Sequence, residues 1–241
     1  MKRFPREFEE LLSREGLKVL QGTHPACGVL ASGQGRFAAF EGLLDARQSA
    51  AVASLLESAL GEVLTPMAQP IPRAATWGMK VAYREKLPKT VRVHTAMLDD
   101  EKSRALSRAR ALGLTTLLRS RSFHAFAEAL TGYPLRRRWG LQALCYRPGD
   151  YSGPHNDHHP DEPLGRDGYT DVHLTFCNRS VRRQLMVYER QAHLSEVASL
   201  RTAGGVTCYR LPFWHYTTPL EGSAAARRWV LLGTFLDRFT D

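Results

Sequence analysis

The chain has 241 residues, 43% of them hydrophobic, which is enough to fold as one large domain around a packed core. Its net charge of +9 would suit a nucleic-acid partner, but the basic residues are dispersed and form no nucleic-acid-binding motif, so such a partner is allowed but not favoured. No apolar run is long enough to cross a membrane, the N-terminus does not have the pattern of a secretory signal, and the four scattered cysteines do not form a disulfide scaffold. We therefore expect a cytoplasmic protein with reduced thiols and no membrane partner.

The first half of the chain is predicted to be mainly helical. Three segments place their apolar residues at helical spacing, namely 8–12, 45–60 and 99–130. In the second of them Asp45 is positioned to cap the N-terminus and Gly61 to end the helix, and Gly113 is expected to break the third. The intervening residues 64–95 are rich in proline and are predicted to be irregular, apart from a strand-like stretch at 77–83.

The pattern changes to short β-like runs after residue 138. Six such runs are separated by Gly, Pro, Asp and Asn residues, at 141–147, 171–178, 183–189, 205–211, 213–218 and 228–236. Short strands at this spacing predict an all-β sandwich or jelly roll. We therefore predict a mainly β fold with helices. A jelly-roll core (a double-stranded β-helix) at 136–241 is buttressed by a helical or mixed N-terminal part at 1–135, and the two form one structural unit.

Three residues are candidates for a metal site. His155 and Asp157 form a His-x-Asp pair, and on a strand two residues at this spacing point to the same face. His215 lies on a later β-like run among aromatic residues and is the best candidate for a third ligand. Two histidines and one carboxylate on one face of an octahedron are the ligand set of non-haem Fe(II) oxygenases. A His-x-Asp pair also arises often by chance, and a histidine among aromatic residues is more often part of the core, so the triad alone leaves the function open.

Two arginines at the start of the last strand add a second signal. Arg227 and Arg228 precede the apolar run that ends near residue 236. An arginine that enters such a strand needs a carboxylate partner, and its planar fork suits bidentate pairing with a dicarboxylate. Strand alternation allows only one of the two to point inward. The alternative is that both arginines end the strand in solvent.

Two longer segments resemble a known family. The segment CYRPGDYSGPHND resembles the stretch of prolyl-4-hydroxylase-like 2-oxoglutarate oxygenases in which a Tyr-x-Pro-Gly turn precedes the His-x-Asp pair. The segments HYTTPLEG and RRWVLLGTFLD are similar to that family's distal histidine, its Pro-hydrophobic step and its Arg-aromatic strand. The resemblance covers about residues 138–237. It departs at 182–184, where Arg-Arg-Gln stands in place of the usual Gly-Gly, and at Tyr151, which lies one residue further from the first ligand.

The resemblance implies an active site and a reaction. It implies that the catalytic residues His155, Asp157 and His215 are ligands of Fe(II). Arg228, with Arg227 as the fallback, would bind the far carboxylate of the cosubstrate 2-oxoglutarate, and Tyr146 would hydrogen-bond the same carboxylate. The expected enzyme is a dioxygenase that consumes O2 and 2-oxoglutarate, releases succinate and CO2, and hydroxylates an unactivated C–H bond of a protein residue, an amino acid or a small molecule.

Two alternatives remain open at this point. An oxidative nucleic-acid demethylase of the AlkB type would suit the basic charge, but that group carries Asn where this chain has Leu144, and an Arg where it has Thr234. A non-catalytic jelly-roll module could instead use the same three ligands for a structural metal, and it would not need a buried arginine.

Overall fold

The computed structural model describes residues 3–33, 35–71, 89–136, 139–157, 169–191 and 193–236. The strand predicted at 77–83 lies outside these residues. Within the described ranges, no helix is both long and apolar enough to span a membrane.

All three predicted helical segments are helical, and the structure adds one helix and one break that the sequence did not predict. The described helical elements are a 3-10 helix at Phe8–Leu11, α1 at Arg14–Leu20, α2 at Ala46–Leu60, α3 at Arg104–Leu112, α4 at Leu114–Leu118 and α5 at Arg121–Thr131. The Asp45 side chain accepts a hydrogen bond from the backbone N–H of Gln48 at 2.8 Å, and α2 ends at Gly61, as predicted. Gly113 breaks the third segment with a φ of 84°, in the left-handed region that favours glycine. The additional break comes before α5, where the Ser120 side chain caps the new helix.

The strands form one large antiparallel sheet and two small ones. They are β1 Phe37–Phe40, β2 Thr65–Pro70, β3 Thr90–Met97, β4 Gly140–Tyr146, β5 Tyr151–Ser152, β6 Tyr169–Cys177, β7 Val181–Arg183, β8 Leu185–Arg190, β9 His193–Ser199, β10 Gly205–Leu211, β11 His215–Thr217, β12 Glu221–Gly222 and β13 Arg228–Leu236. The large sheet has the order β1-β10-β6-β13-β4-β3-β2, and β5 also pairs with β3. The small sheets are β11-β8-β9 and β12-β7. All six runs predicted as strands are strands.

The N-terminal half contributes more strand than we predicted. The segment 64–95, predicted to be irregular, contains β2 and much of β3, and β1 also joins the large sheet. The prolines in β2 suggested an irregular segment, but β2 is an edge strand, where a missing N–H group costs no ladder hydrogen bond. Strands β1 and β3 pair with β10 and β4, so both halves of the chain build the same sheet. The division between residues 135 and 136 stays a prediction.

The large sheet is covered by helices on one face and lines a cavity on the other. Along β6 the residues Val172, Leu174 and Phe176 are fully buried in the core shared with the helices. Alternate residues of the same strand, including Asp171 and His173, line the cavity. Helix α2 contacts the apolar face, where the indole N–H of Trp229 on β13 donates to the Glu57 carboxylate at 3.1 Å. The helices thereby hold the sheet while its other face remains available for polar side chains.

We predict that Asp45→Ala lowers the free energy of unfolding by about 1 kcal/mol, because the first turn of α2 loses its capping acceptor. Asp45→Asn is the matched control, since asparagine caps a helix as well as aspartate does. Urea unfolding of the three proteins measures the difference. Equal midpoints for the alanine variant and the wild type would contradict the assigned cap.

Candidate metal centre

The three predicted ligands lie together in the structure. His155 follows β5 and forms an isolated antiparallel bridge with His215 of β11, in which each backbone N–H donates to the other's carbonyl at 3.1 and 2.9 Å. The Nε2 atoms of His155 and His215 lie 3.3 and 3.6 Å from the two carboxylate oxygens of Asp157. One ligand atom from each residue lies within 4.8 Å of the other two. The spacing of these atoms suits a single bound ion.

A left-handed backbone conformation, rather than strand alternation, directs Asp157 towards the histidines. The sequence suggested that His155 and Asp157 share one face of a strand, and this detail is wrong. Asp157 lies beyond the bridge with a φ of 53°, in the left-handed region that non-glycine residues seldom adopt. Aspartate tolerates this region better than most residues, and such conformations concentrate at functional sites.

Backbone carbonyls fix the orientation of both imidazoles. The Nδ1 atom of His155 lies 2.6 Å from the Gly153 carbonyl oxygen, and Nδ1 of His215 lies 3.0 Å from that of Phe213. Because a carbonyl can only accept, each Nδ1 carries the proton and each Nε2 presents its lone pair to the centre. Burial, with a smaller effect of the neighbouring His155, lowers the pKa of His215 to about 3. His215 is therefore held in the neutral form that a metal ligand requires.

The donor set fits a hard or borderline divalent metal. Two imidazole nitrogens and one carboxylate that converge from one side match the facial triad of non-haem Fe(II) sites. The triad lines a cavity of about 450 Å³ between the large sheet and the β11-β8-β9 sheet, and the same cavity is lined by Tyr146 and Arg228. A metal held by the triad would therefore share its space with a guanidinium group.

Arg228 is a buried cation whose partners are all neutral. It is the first residue of β13 and is only 3% exposed. One of its terminal nitrogens donates to Oε1 of Gln184 at 3.1 Å, and its guanidinium carbon lies 4.9 Å from the centre of the Tyr146 ring. Its buried Nε has no hydrogen-bond partner, and no carboxylate of the described chain forms an ion pair with it. Burial accordingly lowers the pKa of Arg228.

The adjacent arginine points away from the cavity. The Nε atom of Arg227 lies 3.4 Å from the Glu57 carboxylate on α2, and its Nη1 donates to two backbone carbonyls of the preceding loop. Of the two candidates, Arg228 is therefore the one that lines the cavity. Tyr146 lies directly across from Arg228 in the β4–β13 register, and its hydroxyl is 3.0 Å from that of Ser152. That Arg228 and Tyr146 bind a cosubstrate carboxylate stays a prediction.

Gln184 is a functional candidate that the sequence did not identify. Its side chain is fully buried, its Oε1 accepts from Arg228, and its Nε2 donates to the carbonyl oxygens of Asp150 and Thr218 at 3.3 and 3.0 Å. The amide nitrogen and the carbonyl oxygen of the Gln184 side chain are thus both engaged in hydrogen bonds. The available signal was the departure from the family pattern, since Gln184 belongs to the triplet that stands where Gly-Gly is usual.

A second polar network on the cavity wall was also missed. Nε2 of His173 lies 3.2 Å from Oδ2 of Asp171 and 3.0 Å from the hydroxyl of Tyr209. Burial, and after it the charges of Asp171 and Asp157, raises the pKa of Tyr209 well above its ordinary value. The signal in the sequence was the alternation in 171–177, where three polar residues share one face of a strand whose other face is apolar.

Comparisons with solved structures identify the fold. The chain is similar to a prolyl-4-hydroxylase from Pseudomonas putida (TM-score 0.51, 17% identity, 89% of this chain and 99% of that chain covered). It is also similar to an oxidoreductase of the 2OG-Fe(II) oxygenase family from Burkholderia pseudomallei (TM-score 0.54, 15% identity, 83% and 84% covered). A third is the epimerase SnoN in complex with Fe3+, α-ketoglutarate and nogalamycin RO (TM-score 0.52, 16% identity, 87% and 82% covered). The chain thus has the jelly-roll fold of these proteins, which confirms the predicted fold class.

Comparisons of the amino-acid sequence, in contrast, find no relative. The sequence matches no family model and no curated protein. The likeness is therefore one of fold, and function has to be argued from the site itself.

We predict that His215→Gln weakens Mn(II) binding by more than about a hundredfold, since removal of groups that only orient a ligand already costs ~10–100-fold. His173→Gln is the matched control, because it removes a second buried histidine from the same cavity without touching the triad. Mn(II) is a stable probe for such a site, and calorimetry or electron paramagnetic resonance measures its affinity. A similar loss in both variants would show that the metal is not held by the triad.

Proposed function

We propose that this chain is an Fe(II)- and 2-oxoglutarate-dependent dioxygenase that hydroxylates an unactivated C–H bond and releases succinate and CO2. The observation that carries the proposal is the buried guanidinium of Arg228, which has no carboxylate partner among the described residues and lies in the same cavity as the triad. A buried charge without a partner costs several kcal/mol, so its retention argues for a ligand that supplies the counter-charge. A dicarboxylate that bridges a metal and an arginine is such a ligand.

The triad, Arg228 and the side chains around Arg228 have separate roles in this proposal. His155, Asp157 and His215 would hold Fe(II), which supplies the activation of O2. Arg228 would bind the distal carboxylate of 2-oxoglutarate through its planar fork, with its orientation set by Gln184 and the Tyr146 ring. The apolar side chains of Val230 and Leu232 continue the same wall and would exclude water from the bound dicarboxylate.

The proposal also includes the class of substrate and the cellular compartment. The cavity has room for a side chain, an amino acid or part of a small molecule, so the substrate is a protein residue, a free amino acid or a small molecule. The four cysteines are all unpaired, which supports a reducing, cytoplasmic setting.

The two alternative functions have weaker support. A module with a structural metal has no use for a buried Arg228 without a carboxylate partner in the described chain, so that alternative leaves the burial of this charge unexplained. For an AlkB-type demethylase, Leu144 and Thr234 are the positions that differ from the pattern of that group, and both side chains line the cavity.

We expect the wild-type protein, supplied with Fe(II) and 2-oxoglutarate in air, to form succinate, and Arg228→Gln to raise KM for 2-oxoglutarate at least about thirtyfold. The factor follows from the ~2 kcal/mol or more that is lost when one partner of a buried charge pair is truncated. Arg227→Gln is the matched control and should leave KM unchanged, because Arg227 points towards α2. Chromatography of succinate and calorimetry of 2-oxoglutarate binding with Mn(II) measure the two effects. If the wild type neither formed succinate nor bound 2-oxoglutarate, the proposed function would be refuted.

A further inference from the structure

Asp171 is an acidic side chain in the interior of the large sheet. It lies on β6 between β10 and β13, where its register partners are Tyr209 and Thr234. The residue is only 5% exposed and its side chain lines the cavity. An aspartate at the centre of a sheet is rare unless it is paired, because burial of a carboxylate is costly.

Among the described residues, only one of the two carboxylate oxygens of Asp171 has a partner. Oδ2 lies 3.2 Å from Nε2 of His173, which in turn contacts the hydroxyl of Tyr209 at 3.0 Å. Oδ1 is buried and has no hydrogen-bond partner, and no lysine or arginine of the described ranges forms an ion pair with the residue. His173 and Tyr209 therefore hold the carboxylate in place and leave one oxygen to meet a group in the cavity.

The position of Asp171 separates it from the proposed cosubstrate site. Arg228 pairs in register with Cys177 of β6, whereas Asp171 pairs with Thr234, six residues further along β13. At ~3.3 Å per residue, these two register pairs lie about 20 Å apart along the strands. A five-carbon dicarboxylate spans only roughly 6 Å between its carboxyl carbons, so one bound to Arg228 ends well before Asp171.

The same position lies next to the metal centre. The ring of Tyr209 lies 5.3 Å from the ring of the ligand His215, and its hydroxyl contacts His173. A group bound at Asp171 would thus lie near the triad, six residues along β13 from Arg228. In the proposed enzyme this is the space left for the substrate.

Charge balance indicates what kind of group this oxygen receives. The two positive charges of Fe(II) and the one of Arg228 are balanced by Asp157 and the dianion of 2-oxoglutarate. Asp171 then leaves one negative charge on the wall of the cavity, and a buried charge is retained where it has a counter-ion. A cationic group on the substrate would neutralise it, whereas a phosphate or carboxylate at that position would be repelled.

We propose that Asp171, oriented by His173 and Tyr209, binds a positively charged nitrogen of the substrate, an ammonium or guanidinium group. The proposal rests on the proposed function, and it narrows the substrate to a basic amino acid, a basic residue or an amine. Thr234, which faces Asp171 from β13, contributes a hydroxyl to the same part of the cavity.

Matched pairs of small molecules test the proposal on protein loaded with Mn(II) and 2-oxoglutarate. Phenethylamine is compared with 2-phenylethanol, and butylguanidine with butylurea, so that each pair differs mainly in charge. Calorimetry at constant ionic strength measures the affinities. We expect the wild type to bind at least one cation about tenfold to hundredfold more tightly than its neutral counterpart, the range set by one hydrogen bond to a charged group.

Substitutions locate the source of any preference. Asp171→Asn, which keeps the shape and removes the charge, should abolish the preference while 2-oxoglutarate binding stays unchanged, and Asp171→Ser should do the same. Asp100→Asn removes the same charge from an exposed site and should keep the preference. A wild type without any preference for the cations, or a preference that survives in both Asp171 variants, overturns the inference. Failure of the wild type to bind 2-oxoglutarate overturns the proposed function instead.

Discussion

The buried charge of Arg228 is the constraint on which the arrangement of the cavity depends. A guanidinium that is 3% exposed has lost most of its hydration, and the described residues around it supply an amide oxygen and an aromatic ring but no carboxylate. Neither is equivalent to a carboxylate, so the folded chain carries an electrostatic cost that an anion in the cavity would relieve. Strand alternation produces this cost: it directs Arg227 to Glu57 on α2 and leaves Arg228 on the opposite face.

The cavity face of the sheet is electrically polarised along its length. Arg228 lies near one end of β13, the apolar side chains of Val230 and Leu232 follow, and Asp171 lies across from the other end on β6. The triad approaches from the other wall, where the loop after β5 meets β11. A dianion at the arginine end and a cation at the aspartate end would each meet the opposite charge. The order of charges along one strand pair thereby gives the cavity a direction.

Local patterns predicted the strands and the ligands, whereas contacts between distant segments escaped them. The runs after residue 138 correctly predicted six strands of the ten that the described chain has there, and the order of the motifs singled out the three ligands and Arg228. Strand β2 was missed because its two prolines argue against a central strand, and only the tertiary fold shows that it is an edge. Strand β9, also at a sheet edge, buries too little of either face to show a strong alternation. The link between Asp171 and Tyr209 joins residues 38 positions apart through strand register, which no local pattern records.

Gln184 shows how a departure from a family pattern can be part of the design of a site. It stands where the family usually has glycine, and its single side chain contacts three separate parts of the cavity. Its carbonyl oxygen orients Arg228, and its amide donates to the backbone of Asp150, just before β5, and of Thr218, just after β11. These two segments lead to His155 and from His215. One fully buried amide therefore sets the arginine relative to the metal ligands, and a glycine at this position could not make any of these side-chain contacts. In the proposed enzyme the distance between metal and arginine would determine which dicarboxylate can bridge them, so Gln184 would affect cosubstrate choice without contacting the metal.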